Sequence, residues 1–122
     1  MKVTFEEAGA YLDELADSLP KEFFTELNGG ILLSKEVCRR EDVPGNLMTM
    51  GVYRRDYMGR SIEIYYGSFK AVYGHASRQT VLDELKATLL HEFTHHLESL
   101  AGEKGLEIKD AEELAAYLER LR

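Results

Sequence analysis

The chain has a single cysteine, Cys38, among its 122 residues, so no disulfide can form within it. A chain without an internal disulfide fits a reducing compartment, where disulfides are rare. The N-terminal segment is acidic and amphipathic, without the basic start and apolar core of a signal peptide, and no apolar run approaches the ~20 residues that a transmembrane helix needs. We therefore expect a cytoplasmic protein with no membrane partner.

A basic surface is also missing. The 15 Lys and Arg residues are outnumbered by 22 Asp and Glu residues, giving a net charge of −7. The only basic pairs are Arg39-Arg40 and Arg54-Arg55, and phosphate backbones are bound by clustered basic side chains. The sequence therefore predicts no nucleic-acid partner. Its length predicts a single domain, residues 1–122.

The N-terminal half predicts helices followed by short strands. Apolar residues recur at helical spacing over Phe5–Leu19, after the capping-box pair Thr4 and Glu7. A second, short helix is predicted at Pro20–Leu27, and a polar loop at Cys38–Asn46. Short strands are predicted at Ile31–Leu33, Leu47–Arg54 and Ser61–Tyr66, whereas 67–76 is ambiguous.

The C-terminal half predicts two helices. The longest helical pattern runs from about Ser77 to Leu100, and a last helix is predicted to begin with Asp110 as its N-cap. The core stripe of the long helix is predicted to contain Leu82, Leu85, Leu89, Phe93, His96 and Leu100.

The long helix contains the HExxH sequence His91-Glu92-Phe93-Thr94-His95. Residues four apart share a helix face with Cβ atoms about 5–6 Å apart, so both imidazoles can bind one Zn²⁺ ion at about 2.0–2.1 Å. Glu92 projects beside that face, where it can take a proton from a metal-activated water and pass it to the leaving amine. The motif predicts a zinc metallopeptidase with His91 and His95 as ligands and Glu92 as general base.

A catalytic zinc site needs a third protein ligand, and the sequence offers two main choices. Glu98 stays on the metal face, but ligands at positions 1, 5 and 8 of a straight helix span about 10 Å of rise. Asp110 begins another helix and can approach from another direction, so we favour it, with Glu98 orienting a ligating histidine. Glu113 is a weaker choice. His96 lies on the core stripe, and we expect a buried, hydrogen-bonded histidine.

The chain resembles the small bacterial zincin-like metallopeptidases over nearly its whole length. The similar segments are the N-terminal helix, Pro20–Phe24, Ile62–Gly67 and, most specifically, Thr88–Leu97 with its HExxHH core. The resemblance implies an α+β, minimal zincin-like fold in which a small mixed sheet packs on the HExxH helix, an edge strand lies above the cleft and helices occupy both ends of the chain. It also implies bound Zn²⁺.

The chain departs from many of these relatives after the motif. They carry a glycine three residues after the second histidine and a ligating aspartate three residues further on. This sequence has Glu98 and Ala101 at those positions. The departure favours a later acidic ligand such as Asp110.

The expected substrate is a peptide or protein, which would add as a strand to Ser61–Tyr66 if that strand is an edge. The side chain that stabilises the tetrahedral intermediate is left open among Tyr65, Tyr66, Tyr73, His75 and Arg78. Two alternatives to a peptidase remain. One is a catalytically weak or inactive zinc-binding or protein-interaction module with a zincin fold, and the other is a structural helical protein that carries the motif by chance.

Overall fold

The computed structural model describes residues 1–39, 48–57, 59–103 and 108–121, with the backbone alone at 103, 108–112, 114 and 115. The helices in these ranges are α1 (Phe5–Ser18), α2 (Tyr66–Tyr73), α3 (Arg78–Glu103) and α4 (Ile108–Leu121), and a 3₁₀ turn spans Lys21–Phe24. The strands are β1 (Gly30–Ser34), β2 (Cys38–Arg39), β3 (Met48–Thr49), β4 (Gly51–Asp56) and β5 (Gly59–Tyr65).

A small mixed sheet lies beside the long helix. Its strand order is β1-β5-β4, with β1 parallel to β5 from Gly30↔Ser61 to Ser34↔Tyr65, and β4 antiparallel to β5. β2 and β3 form a separate antiparallel pair. The predicted α+β class is confirmed, with a mixed sheet against the HExxH helix and helices toward both ends of the chain.

The hydrophobic core fixes the orientation of α3. Leu85, Leu89 and Phe93 are fully buried in one cluster with Ile62 and Ile64 of β5. The apolar stripe of a helix turns toward the sheet that buries it, and the positions on the other side of the helix then face away. The core stripe predicted from the sequence is confirmed, since its members are buried or half-buried.

Two helix predictions agree closely with the structure. α1 begins at Phe5 as expected, and the capping box is formed: Thr4 Oγ1 accepts a 3.1 Å hydrogen bond from the Glu7 amide, while the Thr4 amide donates to Glu7 Oε1 at 3.0 Å. α3 begins at Arg78, one residue after the predicted start, where Ser77 Oγ accepts from the Thr80 amide at 3.1 Å. None of the helices in the described ranges is long and apolar enough to cross a membrane.

Other boundaries differ from the predictions. The second helix is only the 3₁₀ turn Lys21–Phe24, and the ambiguous segment after β5 contains α2. The predicted loop begins with the two residues of β2, while its positions 40–46 lie outside the described residues. β3 pairs with β2 whereas β4 pairs with β5, so the predicted strand 47–54 is divided between two sheets, and its first residue lies outside the described part.

The N-cap prediction for Asp110 is wrong. α4 begins at Ile108, which places Asp110 inside the first turn of the helix rather than at its cap. A helix start is poorly defined by sequence when several polar residues precede the apolar repeat.

Candidate metal centre

His91 and His95 converge on the exposed side of α3. Their Nε2 atoms are 3.1 Å apart, their ring centroids are 4.6 Å apart, and the ring planes are nearly perpendicular at 86°. Both side chains are exposed, whereas their neighbours Phe93 and Leu97 are buried in the core. The i,i+4 spacing therefore places two imidazole nitrogens together on the accessible face, as the motif predicted.

The distance between these nitrogens fits a shared zinc ion. With Zn–N bonds of about 2.05 Å, the 3.1 Å separation corresponds to an N–Zn–N angle of about 98°, close to the tetrahedral value of about 109°. The same separation also suits a hydrogen bond in which one ring donates Nε2–H to the other. Two neutral imidazoles are a common part of a zinc donor set, so these residues fit the metal.

Glu92 lies between the two histidines in sequence and is 5 % exposed. It lines the cleft beside the imidazole pair. Burial raises the pKa of the Glu92 carboxyl above its ordinary value, and the charges of His91 and His95 act in the opposite direction. A carboxylate with a raised pKa is a stronger proton acceptor near neutral pH, as a general base requires.

A cleft of about 1120 Å³ separates α3 from β4. Residues 48–53 and Arg55 form the strand wall, and seven residues of α3 between Ala87 and Ser99 form the helix wall. The two walls lie close together at Gly51, where a Cβ atom would lie 3.3 Å from Glu92 Oε2. Glycine at this position brings the strand backbone next to the candidate base.

The rival ligand Glu98 contacts the other side of His95. Its Oε2 lies 3.7 Å from His95 Nδ1, which is the ring nitrogen that does not face His91. This position suits an orienting role for Glu98 better than direct ligation. Among the side chains that the structure describes, no group of three or more His, Cys, Asp or Glu is arranged to hold a metal ion. The side chain of Asp110, the favoured third ligand, lies outside the described part.

His96 is a buried, fully hydrogen-bonded histidine, as predicted. Its Nε2 lies 2.8 Å from the carbonyl oxygen of Thr25, and its Nδ1 lies 2.8 Å from the hydroxyl of Tyr53. A carbonyl only accepts, so Nε2 carries the proton and Nδ1 accepts from the tyrosine. Burial lowers the pKa of His96, which favours the neutral ring.

Addition of a peptide to Ser61–Tyr66 required that strand to lie at an edge of the sheet, and the structure does not meet this condition. The segment corresponds to β5, which is central and pairs with β1 and β4. On the cleft side, β4 is the edge strand of the described sheet. The amide of Tyr65 donates to the Met50 carbonyl at 2.9 Å, so antiparallel alternation turns the backbone groups of Gly51, Tyr53 and Arg55 away from β5.

The five candidates for stabilising an intermediate do not line the cleft. Tyr65 binds Arg54 and Glu63 on the other face of the sheet, and the Tyr66 hydroxyl donates to the Val3 carbonyl at 2.8 Å. Tyr73, His75 and Arg78 also lie away from it.

The structure brings Tyr53, Arg55 and Ser99 to the cleft instead, and Arg55 Nη1 lies 3.4 Å from Ser99 Oγ. Sequence reasoning missed these residues. The i, i+2 spacing of Gly51, Tyr53 and Arg55 was the available signal, since it places them on one face of the strand.

Replacing Gly51 with alanine should destabilise the protein. The new Cβ would lie 2.8 Å from Thr88 Cγ2 and 3.1 Å from Ile64 Cδ1, so these side chains or the strand itself must shift. Because such overpacking strains side chains and backbone, we expect the free energy of unfolding to fall by about 1–3 kcal/mol, measured by urea denaturation.

Gly9→Ala in α1 is the matched control. Its Cβ meets nothing closer than Leu33 Cδ2 at 3.8 Å, so a gain of about 0.4–1 kcal/mol is expected. Equal stabilities for the two variants would contradict the close approach of β4 to α3.

The chain is similar to a protein of known structure. No family model and no curated protein matches the chain. The solved structure of a conserved hypothetical protein (TTHA0227) from Thermo thermophilus superposes with a TM-score of 0.69 and 31% sequence identity, covering 81% of this chain and 98% of that chain. The chain therefore belongs to the same family as that conserved hypothetical protein.

Proposed function

We propose that this chain is a zinc-dependent metallopeptidase of the zincin type, with His91 and His95 as metal ligands and Glu92 as general base. The observation that carries the proposal is the 3.1 Å approach of the two Nε2 atoms on the wall of a cleft that also contains Glu92. Two nitrogens placed for one ion and a desolvated carboxylate beside them are the parts that metal-assisted hydrolysis needs.

The protein's own residues account for proton transfer. When bound, zinc supplies Lewis acidity toward a water molecule and toward the carbonyl of the substrate. Glu92 takes the proton from the attacking water and delivers it to the leaving amine. Its burial favours this role, because the raised pKa of the carboxyl makes it hold a proton more readily than a solvated glutamate does.

The substrate we propose is an extended peptide or a flexible protein segment. β4 borders the cleft and directs the backbone groups of Gly51 and Tyr53 away from β5. A peptide laid along this strand gains main-chain hydrogen bonds and passes the imidazole pair. We propose a cytoplasmic location on the basis of the single cysteine.

Asp110 remains our proposed third ligand. Glu98 contacts Nδ1 of His95, so its carboxylate is better placed to orient that ring than to share its metal. Asp110 belongs to the first turn of α4, which packs beside α3. An acidic side chain from a second helix completes a coordination shell from a direction that α3 itself does not offer.

Zinc binding should depend on the two motif histidines. Replacing either His91 or His95 with alanine removes one ligand, and we expect zinc affinity to fall by more than about 100-fold, because loss of a supporting residue alone costs about 10–100-fold. Competition with a chromophoric chelator measures the affinity.

His75→Ala is the control for adventitious histidine binding, since His75 is exposed and lies outside the cleft. A loss of affinity in His75→Ala as large as in the motif variants would contradict a site at His91 and His95.

Two acidic substitutions discriminate between the third-ligand candidates. Asp110→Asn should lower zinc affinity by more than about 100-fold if Asp110 is a ligand, whereas Glu98→Gln should lower it by about tenfold, the effect of losing an orienting contact. Chelator competition on both variants makes the comparison. The reverse order of the two effects would assign the ligand to Glu98.

Glu92→Gln should separate catalysis from metal binding. The amide keeps the size of the side chain but cannot accept the proton, so we expect hydrolysis of a peptide library by zinc-loaded protein to fall by about 10²–10⁴-fold. Zinc affinity should stay close to that of the unmodified chain, because Glu92 is not a ligand. Unmodified protein that holds zinc but cleaves nothing would instead support a zinc-binding module without turnover.

A further inference from the structure

We propose that Tyr53, His96 and the carbonyl of Thr25 form a hydrogen-bonded latch that holds β4 in place against α3. His96 is then a positioning residue for the cleft between them. This rests on the proposed function, because the cleft that the latch holds is the candidate active site. The latch consists of two hydrogen bonds, Tyr53 O–H to His96 Nδ1 and His96 Nε2–H to Thr25 O, each 2.8 Å long.

The latch connects three parts of the fold through one side chain. Tyr53 is on the edge strand, His96 is on the motif helix, and Thr25 ends the 3₁₀ turn. The sequence separations from His96 are 43 residues to Tyr53 and 71 residues to Thr25. Neither bond belongs to local secondary structure, so both report on how the elements pack together.

The strand side of the latch lies at the candidate active site. Tyr53 lines the cleft, and two residues before it Gly51 lies against Glu92 and Thr88. The rings of Tyr53 and His96 are also in contact, with centroids 5.4 Å apart. If Tyr53 moves, the adjoining backbone of β4 moves with it. The proposed substrate lies along this backbone.

The other side of the latch is anchored in the core. Just before Thr25, Phe23 and Phe24 pack against Phe93 of α3 with ring centroids 5.8 and 5.4 Å apart. The Thr25 carbonyl is thus a fixed acceptor, and it selects the tautomer of His96 that carries hydrogen on Nε2. That tautomer leaves a lone pair on Nδ1, which is what the Tyr53 hydroxyl needs in order to donate.

The geometry also explains why a histidine is useful at this core position. His96 has no exposed surface, and its neighbours on the same stripe are leucines and Phe93. A leucine would fill the space, but it would leave the Thr25 carbonyl and the Tyr53 hydroxyl without this partner. The imidazole ring offers one donor and one acceptor on opposite sides at a fixed spacing, so it bridges the edge strand and the 3₁₀ turn.

Tyr53→Phe, compared with Tyr66→Phe, tests the latch. Each substitution deletes one tyrosine hydroxyl that makes a 2.8 Å hydrogen bond, but Tyr66 donates to the Val3 carbonyl away from the cleft. We expect comparable losses of stability in urea. Only Tyr53→Phe should move the backbone amide resonances of Gly51 and Glu92, and only it should lower kcat/KM, by about 10–100-fold, because small displacements at a reacting centre have effects of this size.

A second measurement does not depend on catalysis. Long-range ¹H–¹⁵N spectra of the unmodified chain should show His96 with its proton on Nε2. In the variant His96→Gln the side-chain amide nitrogen can still donate to the Thr25 carbonyl, but its oxygen does not occupy the position of the ring Nδ1. This variant should therefore perturb the Gly51 amide as Tyr53→Phe does. The double variant should add little further change, because both substitutions break the same bond.

Three results would overturn the latch: a His96 proton on Nδ1, equal effects of Tyr53→Phe and Tyr66→Phe on the cleft resonances, or full additivity of the Tyr53 and His96 variants. Failure of the proposed peptidase function is distinguishable from these. Protein that neither binds zinc nor cleaves peptides would end the metallopeptidase proposal, while the spectra would still show whether Tyr53 and His96 hold the strand.

Discussion

Burial of the apolar stripe of α3 is the constraint on which the rest of the site depends. Leu85, Leu89 and Phe93 pack against the β5 side of the sheet, and this fixes the rotation of the helix about its own axis. Once that rotation is fixed, the helical repeat determines where every other residue points. The two motif histidines fall on the accessible side, Glu92 on the boundary with β4, and His96 inside. The arrangement of these side chains is therefore a consequence of how the helix packs.

Burial away from water shifts the pKa values of two nearby side chains, Glu92 and His96, in opposite directions. Desolvation raises the pKa of Glu92 because it disfavours the charged carboxylate, and it lowers the pKa of His96 because it disfavours the charged ring. The first effect suits a proton acceptor at the cleft. The second suits a neutral ring with one donor and one acceptor, which the contacts to Thr25 and Tyr53 require. Desolvation thus suits Glu92 to accept a proton and His96, one helical turn away, to stay neutral.

The sequence predicted those features that depend on local periodicity. The capping box of Thr4 and Glu7, the length of α3 and the common face of His91 and His95 all follow from spacing along one helix, and the structure has them. The buried role of His96 followed from its place on the stripe. The α+β class followed from resemblance and is also confirmed.

Features that depend on long-range pairing were not predictable in the same way. Alternation of Ile62 and Ile64 with Glu63 indicates which face of the strand is buried, but it does not indicate whether the strand lies at the edge of the sheet. β5 has one face that is only partly buried at Ser61 and Glu63, yet the strand is central, because β1, from a distant part of the chain, pairs with it in parallel. The hydrogen bond between Tyr53 and His96 was not predictable for the same reason, since it joins residues 43 positions apart.

X-ray absorption at the zinc edge of the zinc-loaded chain tests the central claim most directly. A zinc ion on His91 and His95 should give multiple-scattering features of two imidazoles at about 2.0–2.1 Å, and one of them should be lost in His95→Ala. A zinc shell without imidazole scattering, or one that is unchanged by that substitution, would contradict a metal site built on His91 and His95.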